Sequence, residues 1–270
     1  MTPELQDEGL IRDALRIVEE ARRRGVVLRL MGALAIRVHT PEFSELYRRL
    51  SRLGGGGSQF TDVDMVTYRS QREAAHRVFT SLGYRPDRLV MAYFGESRFL
   101  YHHPQGLYQI DLFFERLRFS HDLDLGPGPG EGRLELDYPT LTPADLLLEK
   151  LQIHEIDEKD IKDLVVLLRG HRLSEGEEGD SISVGRVASV LSGDWGFWYD
   201  AKANLGKVLE FSRRYREEGL LGEEDLEDVT SKVEEILRYV DETPKTREWL
   251  RRARVGTRKR WWREVEELIR

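Results

Sequence analysis

The chain of 270 residues carries a formal net charge of −7, with 42 lysines and arginines against 49 aspartates and glutamates. This balance argues against a protein that binds nucleic acid over its whole surface, although it permits a local basic patch. The chain has no cysteine, so disulfides and thiolate metal sites are excluded. Apolar residues make up 40% of the chain, enough for a core, and the length allows one large domain or two small ones.

The sequence predicts neither export nor insertion into a membrane. Residues 1–13 are acidic and polar and lack the apolar segment of a signal peptide. No apolar run approaches the about 20 residues that a membrane span needs. We therefore expect a cytoplasmic protein with no membrane partner.

The first motif in the chain is a glycine turn between a strand and a helix. Apolar residues at helical spacing predict a helix over residues 4–24, which Gly25 ends. A short strand at 26–30 then leads into Met31-Gly32-Ala33-Leu34. Such a turn lets the backbone approach a ligand, and the start of a helix offers N–H groups to a phosphate. A plain strand-to-helix connection explains the same residues.

The second motif, Thr61-Asp62-Val63-Asp64-Met65-Val66, predicts a strand with two aspartates on one face. Residues i and i+2 of a strand lie ~6–7 Å apart, so their carboxylates repel unless a cation lies between them. Carboxylate oxygens suit Mg²⁺ or Mn²⁺, whose remaining ligands are commonly substrate phosphates and water. The alternative is a pair of solvated aspartates at the end of a strand.

Further strands and helices follow from turn residues and periodicity. A helix at 42–53 and a flexible loop, Gly54-Gly55-Gly56-Gly57-Ser58, precede the two aspartates. After them we expect a helix at 71–82 and strands near 89–94, 98–101, 107–114 and 134–136. Asp111 lies in the third of these strands, among apolar residues, where a charge needs a partner or a function.

The second half of the chain is mainly helical. Thr142 and Pro143 are typical of a helix start, and Asp157 is a candidate N-cap for a helix at 158–168. The later helices are expected at 182–192, 195–217, 223–241 and 245–268. A charged, glycine-containing stretch separates the two groups, so we expect a domain at 1–169, a linker at 170–181 and a helical domain at 182–270.

Several of these stretches, in this order, resemble the nucleotidyltransferase fold of the DNA-polymerase-β superfamily. Within that superfamily they are most similar to the abortive-infection toxin-type proteins. The resemblance covers about residues 26–168 and is carried by Leu30-Met31-Gly32-Ala33-Leu34-Ala35, the Asp62–Asp64 strand, Gln109-Ile110-Asp111-Leu112-Phe113, Ala144-Asp145-Leu146-Leu147-Leu148-Glu149-Lys150-Leu151-Gln152 and Lys159-Asp160-Ile161-Lys162-Asp163-Leu164.

The resemblance implies an α+β (α/β-like) fold, a small mixed nucleotidyltransferase sheet flanked by helices and followed by a helical C-terminal domain. It implies that Asp62, Asp64 and Asp111 bind Mg²⁺ or Mn²⁺ and carry the catalysis. It also implies that Gly32 and Ala33 contact the phosphates of a nucleoside triphosphate. The residue after the family's glycine is classically serine, and Ala33 departs from that pattern.

Four residues of the later motifs are candidates for nucleotide binding: Lys150, Lys159, Asp160 and Asp163. Each has an ordinary explanation as well. A lysine on a helix commonly extends along the surface to water, and Asp160 can be the third residue of a helix that Asp157 caps.

We therefore expect a metal-dependent transferase that moves a nucleoside monophosphate from a nucleoside triphosphate to a hydroxyl of RNA, protein or a small molecule. A non-catalytic or toxin–antitoxin-type protein with the same fold, bound to an antitoxin or another cognate protein, is the alternative. A glycosyltransferase with an Asp-x-Asp motif is disfavoured, because only one strand–helix unit precedes the aspartates. The segment Lys245–Arg263 mixes basic residues with tryptophans, so it is a candidate surface for an RNA or tRNA acceptor. The same pattern fits a helix whose tryptophans pack on the helical domain while its arginines pair with nearby glutamates.

Overall fold

The computed structural model describes residues 3–264 of the chain. Its α-helices are α1 (Pro3–Arg23), α2 (Gly32–His39), α3 (Ser44–Leu50), α4 (Arg72–Ser81), α5 (Arg88–Phe94), α6 (Pro143–Leu151), α7 (Glu158–Gly170), α8 (Val184–Gly193), α9 (Trp195–Glu217), α10 (Glu223–Glu242) and α11 (Arg247–Val255). Its strands are β1 (Leu28–Met31), β2 (Asp62–Thr67), β3 (Arg85–Pro86), β4 (Arg98–His102), β5 (Gln109–Phe114), β6 (Arg116–Arg118), β7 (Asp122–Asp124), β8 (Arg172–Ser174) and β9 (Ser181–Ser183). Three 3₁₀ turns lie at Pro41–Phe43, Arg69–Gln71 and Gly256–Arg258.

The chain divides into two compact units, a sheet unit and a helical unit. The sheet unit contains the chain up to His39, Leu53–Leu117 and Asp124–Thr142. The helical unit contains Thr40–Arg52, Arg118–Leu123 and the described chain from Pro143 onward. No helix within residues 3–264 is long and apolar enough to cross a membrane.

The sheet unit is built on a five-stranded mixed sheet with the strand order β1-β2-β5-β4-β3. Strand β2 pairs antiparallel with β1 and parallel with β5, and β4 pairs antiparallel with both β5 and β3. Helix α1 buries the apolar positions of one face, including Leu10, Ala14 and Ile17, and contacts β1 and α4. A small mixed sheet with flanking helices, followed by a helical region, confirms the predicted fold class.

The helical unit is organised around α6 and α7, which pack on α9. All nine residues of α6 are buried, and α7 buries a run of apolar residues from Leu164 to Leu168. The predicted cap is present, because the side chain of Asp157 accepts a hydrogen bond from the backbone N–H of Asp160. The apolar faces of these two helices are thus completed by later helices of the chain.

The division between the units differs from the boundary expected at residue 170. It falls between Thr142 and Pro143, and within the helical unit α6 packs on α8 and α9 while α7 packs on α9 and α10. The stretch 170–181, expected to be a linker, contains β8 and the first residue of β9, and these two strands pair in parallel.

Two of the expected strands are absent from the structure. Residues 89–94 belong to helix α5, which begins because the Asp87 side chain accepts hydrogen bonds from the N–H groups of Leu89 and Val90. Residues 134–136 form turns, and the N–H of Leu134 donates to the hydroxyl of Tyr68 instead of to a strand. In both places a side-chain hydrogen bond replaces the ladder that a strand would need.

The last helix is shorter than its expected span of 245–268. Helix α11 ends at Val255, and Gly256 follows with a φ of +57°. A positive φ suits glycine and ends a helix. Residues 259–264 are not helical, and residues 265–268 of the expected helix lie outside the described chain.

Candidate functional site

The two aspartates of strand β2 lie on one face of the sheet. Asp62 and Asp64 are half-buried, whereas Val63 and Met65 between and after them are fully buried. This alternation follows from the period of two along a strand, which sends the apolar side chains to the core and the carboxylates to the opposite face. The strand therefore presents both carboxylates in the same direction.

The third aspartate is directly beside them on the neighbouring strand. Asp111 of β5 is the register partner of Asp64 in the parallel pair, and Gln109 is the partner of Asp62. Neighbouring strands lie about 4.8 Å apart, so Asp64 and Asp111 share a face and a row across the sheet. Asp111 is 3% exposed. The sheet thus gathers Asp62, Asp64 and Asp111, which lie far apart in the chain.

The glycine turn lies against one of these carboxylates. Gly32 follows β1, begins helix α2 and has a φ of +68°. A Cβ atom built on Gly32 would lie 2.7 Å from Oδ2 of Asp64, closer than real Cβ atoms come to an oxygen. Glycine is required here both by the backbone conformation and by the space that Asp64 takes. Ala33, the next residue of the helix, is 8% exposed and offers no hydroxyl group.

The three carboxylates do not converge on one point. Within residues 3–264, no group of three possible ligands that includes these aspartates has all its ligand atoms within 4.8 Å of one another. Instead, Nη1 of Arg98 on strand β4 lies 3.7 Å from Oδ1 of Asp111. Arg98 is opposite Phe113 and therefore projects from the same face as Asp111. Sequence reasoning missed this arginine, because only the β4–β5 register brings it to the site.

The later candidates form a separate cluster inside the helical unit. Nζ of Lys150 lies 2.7 Å from Oδ1 of Asp160 and 3.1 Å from Oδ2 of Asp163. The other side of Asp163 is bound by Arg52, whose Nε lies 2.9 Å from Oδ1, and by the hydroxyl of Tyr47, which donates a short hydrogen bond. These five groups are almost entirely enclosed, and two of them, Arg52 and Tyr47, come from a segment with no sequence motif.

Charge pairing controls the protonation of this cluster. Burial acts to lower the pKa of Lys150, but the carboxylates of Asp160 and Asp163 outweigh it and raise the pKa well above its usual value. Burial likewise acts to raise the pKa of Asp160, yet the charge and hydrogen bond of Lys150 bring it below the usual value. Lys150 and Asp160 are therefore both charged at neutral pH.

Lys159 is placed differently from the other three candidates. Its side chain is 46% exposed, and its Nζ lies 3.1 Å from Oδ2 of Asp157. With Asp160 it lines a cavity of about 870 Å³ in the helical unit, which His154 and Trp262 also line. Of the four candidates, Lys159 is thus the one whose charge is accessible to a ligand.

The tryptophans of the C-terminal segment pack inward. Trp249 contacts Trp198 edge to face, with ring centres 5.1 Å apart. Nε1 of Trp261 donates to Oδ1 of the buried Asp200 over 3.0 Å. The ring of Trp262 stacks on His154, with centres 3.7 Å apart. These contacts are those of a segment held on the helical unit, as the packing alternative predicts.

A row of exposed arginines remains on the outside of the same segment. Arg247, Arg251, Arg254 and Arg258 are exposed and follow one another at spacings of three or four residues, which places them along one side of the helix and the turn after it. Among the described residues, Arg247 and Arg254 lie within ion-pair distance of no carboxylate, and Arg251 is 3.9 Å from Glu248. We call these four residues the arginine row.

Comparisons with known proteins find similarity in structure but not in sequence. No family model matches the chain, and no curated protein matches it. Among solved structures, the solution structure of the antibiotic-resistance factor ANT(2'')-Ia matches with a TM-score of 0.36 and 14% sequence identity. The match covers 60% of this chain and 83% of that one.

Proposed function

We propose that this protein is a metal-dependent nucleotidyltransferase, which moves a nucleoside monophosphate from a nucleoside triphosphate to an acceptor hydroxyl and releases pyrophosphate. The observation that supports this proposal is the row formed by Asp64 and Asp111 on adjacent parallel strands, with Asp62 on the same face and the Gly32 turn against Asp64.

The donor set fits a hard divalent cation. Asp62, Asp64 and Asp111 supply carboxylate oxygens only, which are the ligands that Mg²⁺ and Mn²⁺ prefer. These three residues would hold the metal. Bound there, Mg²⁺ or Mn²⁺ would neutralise the charge of the phosphates and of the transition state. Because Gly32 has no Cβ atom, the backbone N–H groups of this turn could face the phosphates beside the metal.

The chain's own residues would bind and orient the two reactants. The N–H groups at Gly32 and Ala33, at the positive end of α2, would donate to phosphate oxygens. The acceptor oxygen would form a bond to the α-phosphorus while the bond from that phosphorus to the bridging oxygen breaks. Pyrophosphate then leaves with the electrons of that bond. A carboxylate oxygen of Asp111 would take the proton of the acceptor hydroxyl.

We assign different roles to the four later candidates. Lys150 and Arg52 together neutralise Asp160 and Asp163, so their cluster would brace the helical unit rather than give its charge to a nucleotide. The accessible Lys159 is the better candidate for a phosphate contact. Of the four candidates that the motifs suggest for nucleotide binding, this assignment keeps only Lys159.

The proposal is tested by direct assay of the purified protein. The protein is incubated with Mg²⁺ or Mn²⁺, each of the four α-labelled nucleoside triphosphates, and total RNA, protein or small-molecule acceptors. We expect label to be transferred to one acceptor class with pyrophosphate released in equal amount. Metal–nucleotide binding without turnover on any acceptor would favour the alternative, a non-catalytic or toxin–antitoxin-type protein that keeps the fold.

The glycine turn gives a prediction with a matched control. Gly32→Ala and Gly25→Ala each put a side chain at a positive φ, +68° and +72°, and each should lower the free energy of unfolding by roughly 1–2 kcal/mol. Only the Gly32 variant meets a neighbour, Oδ2 of Asp64, since no atom lies within 4 Å at Gly25. We therefore expect Gly32→Ala alone to lose the rise in melting temperature caused by Mg²⁺ with a non-hydrolysable nucleotide. Equal losses in both variants would contradict the role of the turn.

For the acceptor, we infer an RNA that binds the arginine row. The inward packing of the tryptophans argues against base stacking on them, so the contact we propose is electrostatic. Two guanidinium groups of this row, those of Arg247 and Arg254, lie within ion-pair distance of no carboxylate of residues 3–264, and a row of exposed guanidinium groups suits a chain of phosphates. This remains compatible with the acidic net charge, because the row is a local patch.

Charge reversal tests this inference. Arg247→Glu/Arg254→Glu should weaken RNA binding at least tenfold and reduce its salt dependence by about 0.7 in the log–log slope for each phosphate that the row no longer neutralises. The control, Arg172→Glu/Arg213→Glu, changes the net charge equally at exposed positions outside the row. Nucleotide binding should be equal in both. If RNA affinity falls equally in the two variants, or in neither, the arginine row is not the RNA-binding surface. That result would favour a protein or small-molecule acceptor.

A further inference from the structure

Arg98 is a cation beside the three aspartates Asp62, Asp64 and Asp111. Its side chain projects from the same face as Asp62, Asp64 and Asp111, and its Nη1 lies 3.7 Å from Oδ1 of Asp111. The two side chains are only 14% and 4% exposed, so water screens this pair poorly. The three carboxylates and the guanidinium together carry a formal charge of −2 instead of −3.

The contact between Arg98 and Asp111 is loose. Its 3.7 Å exceeds the 2.7–3.2 Å of a good N–H···O hydrogen bond. Nη2 of Arg98 is buried and makes no hydrogen bond to any of residues 3–264. The guanidinium also lies over the ring of Phe94, 5.7 Å from its centre. Arg98 can therefore keep its contact with the Phe94 ring if the side chain of Asp111 turns away.

Asp111 has two competing uses in this arrangement. As a ligand of a divalent cation it must give its oxygens to the ion, and a guanidinium beside it opposes a further positive charge. A metal ion that binds alone is repelled by the guanidinium of Arg98. When the ion binds together with a triphosphate, the negative charges of the triphosphate offset this repulsion.

We propose that Arg98 is the resident counter-ion of Asp111 and makes metal binding depend on nucleotide binding. The proposal rests on the proposed function of the carboxylates and adds a role for a residue outside the motif. Arg98 acts through Asp111 and is thus a positioning residue. Because coupling between two ligands is reciprocal, nucleotide strengthens metal binding by the same factor as metal strengthens nucleotide binding.

The test measures the affinity of the whole protein for Mn²⁺ by calorimetry, with and without each non-hydrolysable nucleoside triphosphate. The wild type should bind Mn²⁺ at least tenfold more tightly with the nucleotide that it uses. Arg98→Gln should bind Mn²⁺ alone at least tenfold more tightly than the wild type does. Arg98→Lys, which keeps the charge, should behave like the wild type.

A double-variant cycle identifies Asp111 as the partner. In an Asp111→Asn background the Arg98→Gln change should no longer increase Mn²⁺ affinity, because the carboxylate that Arg98 competes for is gone. A purely structural role for Arg98 predicts lower or unchanged affinity in every background. Arg98→Met keeps the packing of the side-chain stem and carries the same expectation if the glutamine variant does not fold.

The outcomes distinguish a failure of the role proposed for Arg98 from a failure of the proposed metal-dependent function. Wild-type protein that binds Mn²⁺ equally tightly with and without nucleotide overturns the role of Arg98, as does an Arg98→Gln affinity equal to the wild-type value. If neither the wild type nor the neutral variants bind Mn²⁺ under any condition, the carboxylates are not a metal site. In that case the proposed function and the role of Arg98 fail together.

Discussion

Asp64→Asn is expected to lower nucleotide transfer on the order of 10³-fold while leaving the fold intact. Asp64 is central in the site, since it lies beside Asp111 in register and against the Gly32 turn. Loss of a metal ligand removes several kcal/mol of transition-state stabilisation, and each 1.36 kcal/mol is tenfold in rate. The change also removes one of three neighbouring negative charges, so the melting temperature should be equal to the wild-type value or higher.

The chain contains a matched control for this variant. Asp122-Leu123-Asp124 on β7 is another pair of aspartates at a spacing of two, and Asp124 is exposed. Asp124→Asn should therefore keep full activity. A large fall in melting temperature for Asp64→Asn would show that Asp64 supports the fold, and full activity in that variant would remove it from the site.

Asp163→Ala should have the largest effect on stability. Asp163 is fully buried between Lys150, Arg52 and Tyr47, and removing it takes from Arg52 and Lys150 a carboxylate that both contact. Breaking a buried ion pair in this way costs about 3–5 kcal/mol, which corresponds to a fall in melting temperature on the order of 10 °C. The control is Glu45→Ala, which breaks an exposed pair with Arg48 and should cost less than about 1 kcal/mol.

The same cluster predicts the direction of acid unfolding. The pKa of Asp160 is lowered in the folded protein because Lys150 outweighs the effect of burial. A carboxyl whose folded pKa is depressed stabilises the fold above its unfolded pKa of about 3.9, and this stabilisation is lost as the pH falls through the folded pKa. The free energy of unfolding, measured with urea at pH 7 and near pH 3, should therefore differ less between the two pH values in Asp160→Asn than in the wild type. Equal differences would show that Asp160 is not a source of acid sensitivity.

The strands that carry the aspartates could be predicted because their signals are local. Alternating apolar residues around Asp62 and Asp64 specify a strand by its period of two, and the apolar residues around Asp111 do the same. Residues 89–94 were less predictable, because a short apolar run fits a helix or a strand equally well. There the hydrogen bonds of Asp87 to the first turn decide the outcome.

Other parts of the site depend on contacts between distant residues. Arg98 reaches Asp111 only through the register of β4 and β5. Arg52 and Tyr47 reach Asp163 across more than 100 positions of sequence. Nothing in the spacing of His121 and His154 indicates that both contact the buried carboxylate of Asp200. Pairings of this kind require the folded chain, so a single sequence does not reveal them.

The path of the chain between Thr40 and Arg52 determines how this protein can be dissected. The chain leaves the sheet unit after α2, contributes α3 to the helical unit, and returns before β2. A fragment ending at Thr142 would expose Leu46, Tyr47 and Leu50, which are almost completely buried in the whole chain. A fragment beginning at Pro143 would keep Asp163 but lose Arg52 and Tyr47. No single cut therefore separates the two units without dividing one of them.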